Sequence, residues 1–335
     1  MSSALLFTSE PYRELGAAVC RLRGFEPGEV AREIFPDGEL FQRILTPLAG
    51  RDVVLIAGTV SDEQTCRLFD LATGLVESGA SRLTLVIPYF GYSTMDRAGR
   101  PGEVVTAKTR ASLLSAIPPA RGGTRIAILD PHSEGLPYYF RPGLGAAAIG
   151  VEPLVAEVAR RLGGSDFVLA SADAGRAKWV QRLADELNVR AAFAHKRRLG
   201  PERTEVVALL ADVRGRQVVI CDDMIRSGST LLGAARAYRE AGAAGVSAFA
   251  THGVFPGDAL DRLGASGLLD RLVTTDSHPR AVALAGGFLE IESVAPLLAS
   301  ALRPDHLRFE RRMLRISQTP NASENRKPSV KSQLR

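Results

Sequence analysis

The chain of 335 residues is 45% hydrophobic and 24% charged, the balance of a soluble globular protein with material for two domains. Its formal charge is +5, but Arg326, Lys327, Lys331 and Arg335 against Glu324 place +3 of it in the last twenty residues, leaving +2 elsewhere. So weak a basic bias argues against a nucleic-acid partner, and no run approaches the ~18 apolar residues that a membrane-spanning helix needs.

The opening MSSALLFTSEPYRE has neither the basic start nor the long apolar run of a secretory signal. Cys20, Cys66 and Cys221 are scattered, without zinc-site spacing, and suit a reducing compartment. A cytoplasmic location with no membrane contact is therefore expected. Along the chain, β-branched apolar runs alternate with helical patterns, which predicts an α/β fold with mainly parallel sheets. Strands are predicted at 53–57, 83–87, 125–129, 167–171, 190–194, 217–221, 246–250 and 272–275. Ser61 and Gln64 fit a capping box, and Leu68, Leu71, Ala72 and Leu75 mark the buried face of the helix it opens. A glycine- and alanine-rich stretch at 141–153 predicts a domain boundary, placed between 147 and 148. The second domain is expected to end at 315. Residues 316–335 are too polar to bury much surface and are expected to form a disordered tail.

The most informative segment is Val218-Val219-Ile220-Cys221-Asp222-Asp223-Met224-Ile225-Arg226-Ser227-Gly228-Ser229-Thr230. An apolar strand runs into two aspartates, then a small-residue loop, then a helix predicted from about Leu231. Ligands of open α/β sheets bind beyond the carboxyl ends of the strands, where this loop must lie. Loop amides and a helix N-terminus form a concavity for a phosphate, with hydroxyls of Ser227, Ser229 and Thr230 as further donors. Asp222 and Asp223 can hold ribose hydroxyls, directly or through magnesium. The plainer reading is that the aspartates end a strand and Ser229 caps a helix. Cys221 beside two acids reads as a small apolar strand residue, since neighbouring negative charge disfavours a thiolate.

At this segment the chain resembles the phosphoribosyl diphosphate motif shared by phosphoribosyltransferases and ribose-phosphate diphosphokinases. Further strings, in family order, resemble the diphosphokinases in particular: Phe35-Pro36-Asp37-Gly38-Glu39, Ile87-Pro88-Tyr89-Phe90-Gly91-Tyr92 with Asp96-Arg97, and Thr106-Ala107-Lys108. They continue with Asp130-Pro131-His132-Ser133-Glu134, Ser171-Ala172-Asp173-Ala174-Gly175, Lys196-Arg197-Arg198 and Thr251-His252-Gly253-Val254-Phe255-Pro256-Gly257, so that the likeness spans about residues 5 to 315. The resemblance implies two phosphoribosyltransferase-like (type I) domains, an ATP side at 1–147 and a ribose 5-phosphate side at 148–315. It implies transfer of diphosphate from magnesium ATP to the C1 hydroxyl of ribose 5-phosphate, with Mg2+ as cofactor.

By the same resemblance, Phe35, Asp37 and Glu39 hold adenine, reaching into a neighbouring subunit of a homo-oligomer, commonly a hexamer; by themselves they read as a proline-glycine turn. Asp96 and His132 belong to the ATP site, and His132 and Asp173 to its metal. Asp222, Asp223, Arg226, Ser227, Gly228, Ser229 and Thr230 form the ribose 5-phosphate site. Lys196 and Arg198 are implied to be catalytic, in a mobile loop that neutralises charge on the transferring group; as a bare charge run they read as a solvated loop. The chain departs from the pattern at Thr94 and Met95, where arginine and glutamine are usual, and at Arg226, where the third acid of the loop is usual. Ser229 and Arg176 stand in place of glycines, and Gly102 in place of an arginine. These departures leave open an alternative, a weak or inactive regulatory relative that associates with an active synthetase. A transferase that consumes phosphoribosyl diphosphate is a further alternative, opposed by the adenine and catalytic strings.

Overall fold

The computed structural model describes residues 4–198, 204–210 and 212–302, with side chains omitted at 195–198 and 204–210. The expected tail at 316–335 lies outside the described residues. The first half runs β1 (Leu5–Thr8), α1 (Arg13–Arg23), β2 (Glu26–Pro27), β3 (Val30–Ile34), β4 (Leu40–Ile44) and β5 (Asp52–Ile56). It continues through α2 (Asp62–Glu77), β6 (Arg82–Ile87), α3 (Thr106–Leu114), β7 (Thr124–Leu129) and β8 (Gly145–Ile149). The second half opens with α4 (Glu152–Gly163), β9 (Phe167–Ser171), α5 (Ala177–Leu187), β10 (Arg190–Arg198) and β11 (Thr204–Leu210). Then come β12 (Gln217–Ile225), α6 (Ser229–Glu240), β13 (Gly245–Gly253), α7 (Ala259–Ala265), β14 (Arg271–Thr275), α8 (Pro279–Ala283), β15 (Leu289–Glu292) and α9 (Ala295–Ala301).

The first sheet has the order β2-β1-β5-β6-β7-β8, parallel throughout. The second has the order β11-β10-β9-β12-β13-β14-β15, parallel except for the antiparallel β10–β11 pair. β3 and β4 form a separate antiparallel hairpin. Each predicted strand is present, and β10, β12 and β13 run further than expected. A strand that was not predicted, β8, runs across the expected boundary between 147 and 148; pairing with β7 recruits a stretch whose alanines alone favour no strand. β10 continues past 194 through Lys196–Arg198, held by antiparallel pairing with β11 and shifted in register between His195 and Lys196. The expected mobile loop at Lys196–Arg198 is thus strand in its backbone. β12 extends to Ile225 because Met224 and Ile225 find partners in His252 and Gly253 of β13.

Helix α2 starts as its sequence dictates: the Ser61 hydroxyl accepts a hydrogen bond from the Gln64 amide at 3.1 Å. Its Leu68, Leu71 and Leu75 are buried on the outer face of the first sheet, each contributing roughly 2 kcal/mol. A matching core under α6 covers the outer face of the second sheet. Between the sheets a third core joins both halves: Val54, Ile56 and Leu129 from the first sheet meet Leu169, Val219 and Phe249 from the second through α1, α4, α5 and α9. The two domains therefore share a core.

The first sheet reverses strand order between β1 and β5, the crevice where such sheets take ligands. Here Tyr12 fills it. A Cβ on Gly58 would come within 2.2 Å of the Tyr12 hydroxyl, and that hydroxyl donates to the Ser277 carbonyl of the second domain at 3.0 Å. The ring edge of Tyr89 meets His252 and His278 at 5.2 and 4.7 Å between centroids. The first domain's own crevice is spent on docking, which leaves the ligand site to the interface and the second sheet.

This docking sets a pH limit. Burial, then the charges of His252 and Arg280, lower the His278 imidazole from 6.5 to about 4. A group whose folded value is depressed is fully accommodated above its unfolded value. Its contribution is then lost as pH falls from 6.5 to about 4, by up to about 3 kcal/mol. His278→Asn, whose side-chain oxygen can still accept from the Arg280 amide as Nδ1 does now, is expected to flatten the fall of the melting temperature over that range. An unchanged profile would show that His278 is not the limiting group.

Candidate active site

A cavity of about 1030 Å³ opens between the domains, walled by His132, Asp173, Asp222, Asp223, Arg226 and Gly228 among others. Strand ends line it: Asp130 and His132 follow β7, Asp173 follows β9, and Asp222 and Asp223 lie within β12 near its carboxyl end. The second sheet reverses its order between β9 and β12, so Asp173 and the paired aspartates flank the topological switch point.

Adjacent strand residues face opposite sides of a sheet, so Asp222 and Asp223 divide. Asp223 shares its face with Val219 and Cys221 of the inter-sheet core and is 4% exposed. From there it reaches across the domain interface, its Oδ2 lying 2.6 Å from His132 Nδ1. Arg176, at the N-terminal end of α5, points into the same space: Nη2 donates to Asp130 Oδ1 at 2.9 Å and Nε lies 3.6 Å from Asp223 Oδ1. Asp130 Oδ2 accepts from the Thr251 hydroxyl, and His252 Nε2 lies 3.1 Å from the Asp130 carbonyl oxygen. The Asp130 backbone takes φ +37°, the left-handed region.

These contacts set the protonation states. Burial alone would raise the Asp223 carboxyl, but the His132 hydrogen bond and the Arg176 charge overcome it and hold Asp223 below the usual carboxylate range. Asp222 goes the other way: burial, then repulsion by Asp223, push it well above that range. The bond to Asp223 raises the His132 imidazole above its usual value. The negative charge of the acid pair is thus favoured on Asp223, which faces the Arg176 guanidinium and the His132 ring. Cys221, just before the pair, is buried and its thiol is pushed up by burial and by Asp222, as its inert reading required.

Beyond the acids, Arg226 and Ser227 lead to Gly228, which has φ +76° and would bring a Cβ to 3.0 Å from the Leu263 side chain. This turn starts α6 at Ser229, slightly before the expected position, and turns the N-terminal end of a twelve-residue helix towards the cavity. Ser227 Oγ and Ser229 Oγ lie 3.1 Å apart. Arg226, Ser227, Gly228 and Thr230 all line the cavity wall. The arrangement suits an anion at the helix end with hydroxyl groups turned towards Asp222 and Asp223.

Of the other expected site residues, Asp96, His132 and Asp173 line the cavity, and Thr94 lies on its wall. Phe35, Asp37 and Glu39 do not. They form the tip of the β3–β4 hairpin, where Gly38 takes φ +92° and the Glu39 amide donates to Asp37 Oδ1 at 3.1 Å. Phe35 is 40% exposed there, 6.0 Å from the Phe41 ring. The side chains of Lys196 and Arg198 lie outside the described residues. Sequence reading missed Asp130 and Arg176 as site residues. Asp130 stood in the string that yielded His132, and Arg176 drew attention only as a departure from glycine.

The residues offer a mixed fit to magnesium. His132 bonds Asp223 through Nδ1, the orientation in which the other ring nitrogen of a ligating histidine faces a metal. With Asp173 it could contribute to an ion that keeps most of its oxygens from nucleotide phosphates. Among the described residues, however, no group of three or more His, Cys, Asp or Glu side chains is placed to hold a metal by itself. Between Asp130 and Asp223 stands a guanidinium.

Two mainly parallel sheets in this order, with a switch-point strand that carries paired acids near its carboxyl end and runs into a small-residue turn, define a phosphoribosyltransferase-like α/β protein. A family model for the N-terminal domain of ribose phosphate pyrophosphokinase matches residues 4–117, and one for the phosphoribosyl transferase domain matches residues 144–256. The ribose-phosphate pyrophosphokinase of Marinomonas sp. (strain MWYL1) is 34% identical over 285 residues, covering 83% of this chain and 88% of the relative. That of Chromobacterium violaceum is 32% identical over 305 residues, covering 90% and 91%. The crystal structure of phosphoribosylpyrophosphate synthetase from Mycobacterium smegmatis superposes with a TM-score of 0.79 at 27% identity, over 92% of this chain and all of that one. The chain belongs to the ribose-phosphate pyrophosphokinase family, the diphosphokinases that its motifs resemble.

Proposed function

We propose that the chain transfers the diphosphoryl group of magnesium ATP to ribose 5-phosphate, yielding phosphoribosyl diphosphate and AMP. The observation that carries this reading is one cavity joining the Asp222–Thr230 segment of the second domain to Asp96 and His132 of the first. The 5-phosphate lies on the α6 N-terminus and the loop amides, with Arg226 adding a cation. Asp223 and Asp222 hold the ring hydroxyls. The C1 hydroxyl oxygen bonds to the β-phosphorus as the bond from that phosphorus to the AMP oxygen breaks, and the hydroxyl proton leaves to solvent. In such transfers the protein mainly positions partners and neutralises charge. No protein nucleophile takes part.

Lys196 and Arg198 supply the cationic groups for the transferring oxygens. His132 and Asp173 would face a magnesium ion brought by the nucleotide, which would supply neutralisation of charge on its phosphates. Phe35, Asp37 and Glu39 receive the adenine of a neighbouring subunit, which makes the working form a homo-oligomer, with a hexamer as the form common in the family. Their distance from this chain's own cavity supports that arrangement. A cytoplasmic location fits the reaction, and no helix among the described residues is long and apolar enough to cross a membrane.

Purified chain mixed with magnesium ATP and ribose 5-phosphate is expected to release AMP. No release across several nucleotides and divalent cations would overturn the reading in favour of the regulatory relative suggested by Thr94, Met95 and Arg226. Arg226→Asp is expected to raise the Michaelis constant for ribose 5-phosphate about tenfold, the scale of one charge-assisted contact, and that for ATP far less. An unchanged dependence on ribose 5-phosphate would remove Arg226 from the phosphate site.

A further inference from the structure

Arg176 is held from several directions at this cavity. Its guanidinium bonds Asp130 Oδ1 from one domain at 2.9 Å and stands 3.6 Å from Asp223 Oδ1 of the other. It also lies 5.1 Å over the ring of Trp179, whose Nε1 donates to Glu152 Oε1 at 3.0 Å. The side chain is 15% exposed, and its acidic partners are 10% and 5% exposed. Magnesium in such a gap would draw carboxylate oxygens to within about 2.1 Å of a single point. The guanidinium instead holds them apart on a planar fork, each at nitrogen-to-oxygen distance. A cation entering there would have to expel a buried, doubly paired arginine or accept its charge at close range.

We infer that Arg176 is a built-in cation of the ribose-phosphate side, standing between Asp130 and Asp223 where a divalent ion could otherwise bridge carboxylates and ribose. The acid cluster accordingly recruits no metal, and ribose 5-phosphate binds without one. The only metal of the reaction is then the one the nucleotide brings. This rests on the phosphoribosyl reading of the cavity for its ligand, though not for its metal.

Trp179, the single tryptophan of the chain, reports on the site by fluorescence. Ribose 5-phosphate is titrated into the full chain in EDTA and in magnesium, for the native protein, Arg176→Ala and Arg176→Lys. Binding of Mn2+ alone to the ligand-free proteins is followed by the resonance signal of the free ion. The native chain is expected to bind ribose 5-phosphate equally with and without magnesium and to take up no Mn2+. Arg176→Ala is expected to gain one Mn2+ and to bind ribose 5-phosphate about tenfold more tightly with magnesium than in EDTA. Arg176→Lys, which keeps the charge, should behave as the native chain. Stoichiometric Mn2+ binding by the native protein would overturn the inference, as would a folded Arg176→Ala with no gain of Mn2+. Should Arg176→Ala fail to fold, the native and lysine proteins decide by the same Mn2+ criterion. If ribose 5-phosphate binds in no condition, the phosphoribosyl reading fails, while the Mn2+ titration still judges Arg176.

Discussion

Asp130→Ala is expected to destabilise the folded chain by about 3 kcal/mol or more, the usual cost of leaving a buried charge without its partner. Three losses coincide at this residue. Arg176 loses its nearer carboxylate, and the Thr251 hydroxyl, fully buried, loses its acceptor. The backbone at φ +37° must also be held by alanine, which tolerates the left-handed region less well than aspartate or asparagine. Asp130→Asn keeps the acceptor and the backbone preference and loses only the charge, so its cost should be clearly smaller. Thermal or urea unfolding of the two variants measures both. A loss below about 1 kcal/mol for the alanine variant would show that Asp130 does not hold the domains together.

The second large effect separates two neighbours that look equivalent. Asp223→Asn is expected to lower kcat/KM for ribose 5-phosphate about a hundredfold, the scale of charge-assisted hydrogen bonds lost to ring hydroxyls. Asp222→Asn is expected to cost far less, no more than about threefold, because burial and the Asp223 charge favour its protonated form, of which an amide is nearly an isostere. The asymmetry has a plain origin. Burial and the charge of Asp223 push Asp222 up, while His132 and Arg176 face Asp223 and hold it down. Equal losses in the two variants would refute this division of charge.

Much of this was legible in the sequence. Runs such as 167–171 are apolar and β-branched enough to be strands in any context, and they are fully buried here. Ser61 and Gln64 cap α2 because the motif is local and needs no tertiary partner. The loop after β12 was recognisable for the same reason: its small residues and adjacent acids meet a local geometric demand. By contrast β8, Gly-Ala-Ala-Ala-Ile, has little preference of its own and becomes a strand only through β7. The hairpin β3–β4 has no fully buried position, its residues being half-buried or exposed, so no apolar core face marked it in the sequence.

The sequence by itself determined the order of α and β elements, the phosphate turn and the family to which the chain belongs, because each depends on neighbours within a few residues. Only the tertiary structure decided which charges meet. Asp130, Arg176 and Asp223 are separated by tens of residues, and Tyr12 closes its crevice with a partner 265 residues away. Ion pairing and desolvation depend on distance in space and on the shielding of both partners from water. No spacing along the chain encodes those quantities, so the fixed cation and the unequal aspartates became visible only once the two domains had docked.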